Sequence, residues 1–103
     1  MTGPLVSVII PARNAASTLA GTLSSVQGQR DVDCQVIVVD NASTDATRSI
    51  AAAWPGSGRC GVEVVDCPEP GVNRARIRGY AAARGDFVQW LDADDLLRPG
   101  KLA

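Results

Sequence analysis

The chain has 103 residues, 46 % of them hydrophobic and 4 % aromatic, which is enough for one small domain with an aliphatic core. Ten basic and eleven acidic residues give a net charge of −1, a balance that argues against a nucleic-acid or anionic-membrane binder. Histidine is absent, so Ser-His-Asp and Cys-His catalysis and His-ligated zinc are excluded within this segment.

In chain order, the β-branched run Leu5–Ile10 predicts a strand buried on both faces and stopped by Pro11. A helix is expected next, with Asn14 as N-cap, Leu19, Leu23 and Val26 on one face and Gly28 as its stop. Cys34–Asp40 reads as a second buried strand ending in an acid. The stretch after it reads as a helix capped by Ser43 or Thr44, with Asp45 favoured by the helix dipole. "PGSGRCG" is a loop, Val62–Asp66 a third strand and "VNRARIRGYAAAR" a third helix closed by Gly85. Asp86–Leu91 is the fourth strand, and "RPGKLA" begins a further element. The apolar run at the N-terminus is short and lacks a basic flank, unlike a signal peptide or a membrane span. Cytoplasmic residence is expected, with peripheral attachment to the inner membrane face as its variant. Cys34, Cys60 and Cys67 lack CxxC spacing. Reduced thiols are therefore expected, with a Cys60–Cys67 bridge left open.

Strands alternating with helices imply right-handed βαβ units and a mainly parallel sheet covered on both faces, a Rossmann-like three-layer α/β/α fold. Ligands of such sheets bind beyond the carboxyl ends of the strands. Those ends carry Pro11–Asn14, Asp40–Asn41 and Asp92–Asp95. In extended chain Asp92 and Asp94 point the same way and Asp95 diverges. Two carboxylates roughly 5 Å apart repel by ~3 kcal/mol at an effective dielectric of about 20. They relieve this by holding a proton or a hard cation such as Mg²⁺, Mn²⁺ or Ca²⁺; a solvated acidic turn is the plainer alternative. Asp40 suits a base or ribose contact, or a cap of the next helix. Arg13 and Asn14 offer donors to the same crevice. Arg74 and Arg78 share a helix face and Arg76 points elsewhere. No Gly-rich dinucleotide turn and no GxxxxGK[ST] occurs, which weighs against NAD and P-loop chemistry.

Four stretches taken together resemble the nucleotide-binding half of a family 2 glycosyltransferase of GT-A fold. The family pattern runs "VSVIIPxYN", "IIVVDDGSTDGT", "GxxxARNxG" and "G(D/E)(Y/F)xxFLDADD". The chain has "VSVIIPARN", "VIVVDNASTDAT", "GVNRARIRG" and "GDFVQWLDADD", in that order over nearly its whole length. The resemblance implies a nucleotide-diphosphate sugar donor, often a UDP-sugar, and a saccharide or lipid-linked hydroxyl acceptor. It places Pro11, Ala12, Arg13, Asp40, Arg76, Asp92 and Ala93 at the nucleotide. It assigns Asp94, with Asp92, to a divalent metal, Mg²⁺ or Mn²⁺, and implies inversion by direct displacement. Residues 1–103 then form a truncated donor-binding part. The general base is expected beyond Ala103, in an acceptor-binding half. The surface left by that half is expected to permit self-association.

Arg13 stands where many relatives carry an aromatic, Asn41 and Ala42 replace "DG", and Ile77 replaces the Asn of "ARN". Two other readings remain. One is a non-catalytic nucleotide- or metal-binding module. The other is a haloacid-dehalogenase-type phosphatase, disfavoured because its DxD belongs on the first strand. A sugar nucleotidyltransferase lacks its "GGxGxR" start here.

Overall fold

The computed structural model describes residues 5–28, 33–55 and 60–95. The elements are β1 (Leu5–Ala12), α1 (Leu19–Gln27), β2 (Asp33–Asn41), α2 (Thr47–Ala53), β3 (Cys60–Cys67), α3 (Val72–Ala82) and β4 (Phe87–Trp90). The strands lie in the order β3-β2-β1-β4 and every pairing is parallel. The expected alternation and parallel sheet are both present. The "RPGKLA" segment lies outside the described residues, as does most of "PGSGRCG". The last two residues of that stretch, Cys60 and Gly61, already belong to β3.

β1 runs through Pro11 to Ala12, although proline had marked the strand's end. The hydrogen bonds explain why. Backbone groups of alternate residues point to the same neighbour. The Leu5 carbonyl accepts from Asp86 and the Ile9 carbonyl from Leu91, so odd-numbered residues of β1 face β4. Pairing with β4 stops at Ile9–Trp90. Pro11 therefore faces a position with no partner strand, and its missing N–H removes no ladder bond.

Both faces of the sheet are covered, which is why β1 and β2 read as unbroken apolar runs. Val8, Ile10, Val36 and Val38 pack with Leu19, Leu23 and Val26 of α1 and Ala51 of α2. Ile9, Ile37 and Val39 pack with Ala75 of α3 on the other face. α3 approaches closely because its sheet-facing positions are small. A Cβ added at Gly79 would collide with Ile9 Cγ2 and lie 3.0 Å from Val39 Cγ2.

One buried polar group ties the layers together. The Gln35 amide oxygen accepts from Ser7 Oγ (2.7 Å) and the Arg84 amide (2.8 Å). Its amide nitrogen Nε2 donates to Glu63 Oε1 (2.7 Å) and the Ala82 carbonyl (2.9 Å). Among the described residues no buried side-chain nitrogen or oxygen lacks a partner, as folded interiors require. No helix among them is long and apolar enough to cross a membrane. Cys60 and Cys67 occupy the two ends of β3, roughly 23 Å apart at ~3.3 Å per residue. That excludes the bridge left open between them. All three thiols are free and buried.

Candidate nucleotide-sugar site

The strand order places the site. From β1 the chain winds through β2 to β3, then returns over the opposite face in α3 to lay β4 beside β1. The order reverses between β1 and β4, and a crevice opens at the carboxyl ends of strands where it does. A cleft of about 370 Å³ lies there, lined by Pro11, Arg13, Asn14, Ala15, Ser17 and Thr18 from the segment after β1 and by Ala93 and Asp94 from the segment after β4. A second cleft, about 230 Å³, lies on the other side of the same loop, between Pro11, Ala12, Arg13 and Asn41, Gly71, Val72. Arg13 is exposed and borders both.

The loops around the crevice are fastened to one another. The Asn14 amide donates to Ser43 Oγ (3.0 Å), and the Thr44 amide donates to Asn14 Oδ1 (2.8 Å). The Ala15 amide donates to Thr47 Oγ1 (2.8 Å) and the Ala16 amide to Asp45 Oδ2 (3.1 Å). Asn14 (φ 49°) and Ala42 (φ 57°) sit in the left-handed region to make these meetings, a conformation Asn tolerates better than Ala. Asn14 is therefore not the cap of α1, whose N-cap is Thr18; its side chain is used between loops. Asp45, not Ser43 or Thr44, serves the start of α2, accepting from the Thr47 amide at 2.9 Å. The Thr47 hydroxyl and amide hold the Asp45 carboxyl below its ordinary range.

Asp40 is nearly buried and accepts from the Ser43 amide at 3.3 Å through Oδ1. A carboxylate has about four acceptor sites, so capacity for a ligand N–H remains. Its register neighbour Asp66 is engaged by Arg48, at 2.8 and 3.3 Å, and this guanidinium keeps the Asp66 carboxyl below its usual range. On the other face Asn41 braces the turn before α3. It donates to the Cys67 and Glu69 carbonyls (3.3 and 2.7 Å) and accepts from the Gly71 amide (3.0 Å). Gly71 has φ 134°, which a side chain would strain.

The acidic segment is a turn, closed by the Asp95 amide on the Asp92 carbonyl at 3.0 Å. The expected divergence of Asp95 is thereby corrected. In extended chain it would point away; in a turn it folds back. Oxygens of Asp92, Asp94 and Asp95 all lie within 4.8 Å of one another, and all three side chains are exposed. α1 supports this turn from below. The hydroxyl of Thr22, fully buried, lies 2.8 Å from the Ala93 carbonyl and 2.7 Å from that of Asp95. Thr18 Oγ1 donates to the Ala93 carbonyl at 3.0 Å.

The fold thus brings Pro11, Ala12, Arg13, Asp40, Asp92, Ala93 and Asp94 to one end of the sheet. Arg76 is placed differently. It lines a hollow with Asn73, Ile77, Tyr80 and Trp90, whose Tyr80 and Trp90 rings stack at 6.5 Å, and it lines neither cleft. Residue spacing missed Thr18 and Thr22, whose hydroxyls reach backbone carbonyls of the acidic turn; Asn41 reads only as part of a strand end, and its brace on the turn before α3 was not foreseen. A buried threonine on an apolar helix face was the one available signal.

A sequence model of glycosyl transferase family 2 matches residues 7–103. The chain belongs to that family. It is 37 % identical over 99 residues to the succinoglycan biosynthesis protein ExoO of Rhizobium meliloti (strain 1021), covering 96 % of this chain and 28 % of ExoO. Among solved structures it is similar to S. aureus TarS 1-349 in complex with UDP-GlcNAc, with a TM-score of 0.76 and 26 % identity over 93 % of this chain and 27 % of that one. It is also similar to the mannosyltransferase PcManGT from Pyrobaculum calidifontis in complex with GDP-Man and Mn²⁺, with a TM-score of 0.80 and 31 % identity over 94 % and 29 % of the two chains. The family 2 chain described here therefore spans under a third of the length of these relatives, and its GT-A-type parallel sheet is the expected one.

Proposed function

We propose that this family 2 chain is the donor-binding part of an inverting, metal-assisted glycosyltransferase. It takes a sugar from a nucleoside-diphosphate sugar, foremost a UDP-sugar, for a hydroxyl of a saccharide or lipid-linked acceptor. The observation that carries this is the juxtaposition of the 370 Å³ cleft with the Asp92–Asp95 cluster at the β1/β4 reversal. Relatives crystallised with UDP-GlcNAc and with GDP-Man and Mn²⁺ support it.

Asp40, at the end of β2, would accept from an N–H of the nucleobase. Pro11, Ala12 and Arg13 form the wall against which base and ribose lie. Arg76 joins them only by its place in the family pattern. The donor set at the acidic turn is all carboxylate oxygen, which suits Mg²⁺ or Mn²⁺, so the residues present fit the implied ion. Asp94 and Asp92 would hold it, with Ala93 as the small residue between them. A bound divalent ion neutralises a diphosphate and so stabilises it as a leaving group. Arg13 supplies fixed positive charge on the opposite wall. Cytoplasmic residence accords with a nucleotide-sugar donor.

Calorimetry with UDP and Mn²⁺ tests this reading. Binding that needs Mn²⁺ and is lost in Asp94→Asn is expected. Metal-independent binding untouched by that change favours a nucleotide-binding module without transfer chemistry.

A further inference from the structure

Cys34 and Cys60 stand opposite one another in the β2–β3 register. Both belong to the core under α1 and α2, at 4 % and 3 % exposure. In-register residues of neighbouring strands lie ~4.8 Å apart, inside the roughly 4.4–6.8 Å Cα separation of bridged cysteines. Their side chains leave the same face of the sheet and enter the same core cluster. Reduced thiols are expected from the sequence, with a Cys60–Cys67 bridge left open; strand register sets Cys60 beside Cys34 instead.

We propose that Cys34 and Cys60 are a dithiol site that a low-molecular-weight disulfide, RSSR, converts to a cross-strand disulfide. The Cys60 thiolate attacks one sulfur of RSSR, forming a mixed disulfide and releasing RS⁻, which takes up a proton. Cys34, as thiolate, then attacks the Cys60 sulfur and expels the second RS⁻, which is protonated in turn. Two thiols lose two electrons and two protons, and RSSR becomes two RSH.

The order follows from topology. Cys60 is the first residue of β3, an edge strand, and strand ends fray at low cost. Cys34 lies in β2, flanked on both sides. Burial, and then the facing Cys60 thiol, push Cys34 up to about 12, so it keeps its proton at neutral pH. Exchange is therefore slow, on the order of hours. The bridge would staple β3 to β2 at the end of the sheet away from Asp40. It leaves the acidic turn untouched, so its test is independent of the donor-site reading.

The test is incubation of the folded chain with oxidised glutathione at mildly alkaline pH, followed by acid quench, denaturing alkylation and peptide mapping. The expected product is a Cys34–Cys60 linked peptide, lighter by two hydrogens and reversed by dithiothreitol. Cys67→Ser should leave the bridge intact. Cys34→Ser should stop at a glutathione adduct on Cys60, with circular dichroism confirming the fold. If Cys34→Ser does not fold, Cys67→Ser alone carries the test. A Cys60–Cys67 link, bridges only between molecules, or Cys34 and Cys60 both still alkylatable when a urea-unfolded control has fully oxidised would overturn the proposal.

Discussion

Replacing Thr22 by valine removes one hydroxyl and almost no volume from the centre of α1. That hydroxyl lies 2.8 Å from the Ala93 carbonyl and 2.7 Å from the Asp95 carbonyl. One proton serves one carbonyl at a time, and Ala93 also receives Thr18 Oγ1 at 3.0 Å. The group orphaned by valine is therefore the Asp95 carbonyl. An unsatisfied buried acceptor costs about 1–3 kcal/mol. Asp95 is exposed as a residue and its hydrogen bond to Thr22 is only part-buried, so the lower half of that range applies, ~1–2 kcal/mol. In a domain of this size each kcal/mol lowers Tm by about 4–8 °C. The same loosening frees the acidic turn. If ~1.4 kcal/mol of ordering must then be supplied by the ligand, affinity for UDP with Mn²⁺ falls about tenfold. Urea unfolding and calorimetry on Thr22→Val and Thr22→Ser separate the effects. Serine keeps the hydroxyl and should recover most of the binding. If Thr22→Val unfolds at the wild-type midpoint and binds UDP with Mn²⁺ equally well, the turn does not depend on α1 and the reasoning fails.

Gly79→Ala forces a methyl against Ile9 and Val39; overpacking of this kind costs about 1–3 kcal/mol, read as a lower urea midpoint, and an unchanged midpoint would contradict the close approach of α3. Gln35→Leu leaves Ser7, Glu63, the Arg84 amide and the Ala82 carbonyl without their shared partner, and about 2–4 kcal/mol should be lost by summing penalties of ~1 kcal/mol or more for the buried groups; a neutral result would show that water replaces the amide. Asp45 and Asp66 have depressed folded-state pKa values, so their contribution is complete above the unfolded-state value of about 3.9 and is lost as pH falls through the folded value. Stability should hold from neutral pH to about 5 and drop below about 4, with a shallower drop in Asp45→Asn; identical acid profiles would remove Asp45 from the account.

The parallel sheet was legible because both its faces are buried, so β1 and β2 carry unbroken aliphatic runs that periodicity detects. The acids were legible because each follows such a run. What the sequence hid is what depends on other segments. Pro11 reads as a terminator until β4 is known to end at Trp90. Asn14 looks like a helix cap because its partner, the Thr44 amide, is thirty residues away. The convergence of Asp95 follows from the turn at Asp92, which α1 holds through Thr22. The pairing of Cys34 with Cys60 depends on register, which spacing does not encode.

The central claim is that a nucleoside diphosphate and a divalent ion meet at the end of β1 and β4. Paramagnetic broadening of amide signals by Mn²⁺ in the presence of UDP tests it directly. The account predicts that residues 92–95 and 13–18 broaden first, with Asp40–Ser43 next. Broadening centred elsewhere, at Glu63 or Glu69 for example, or uniform along the chain, would contradict it.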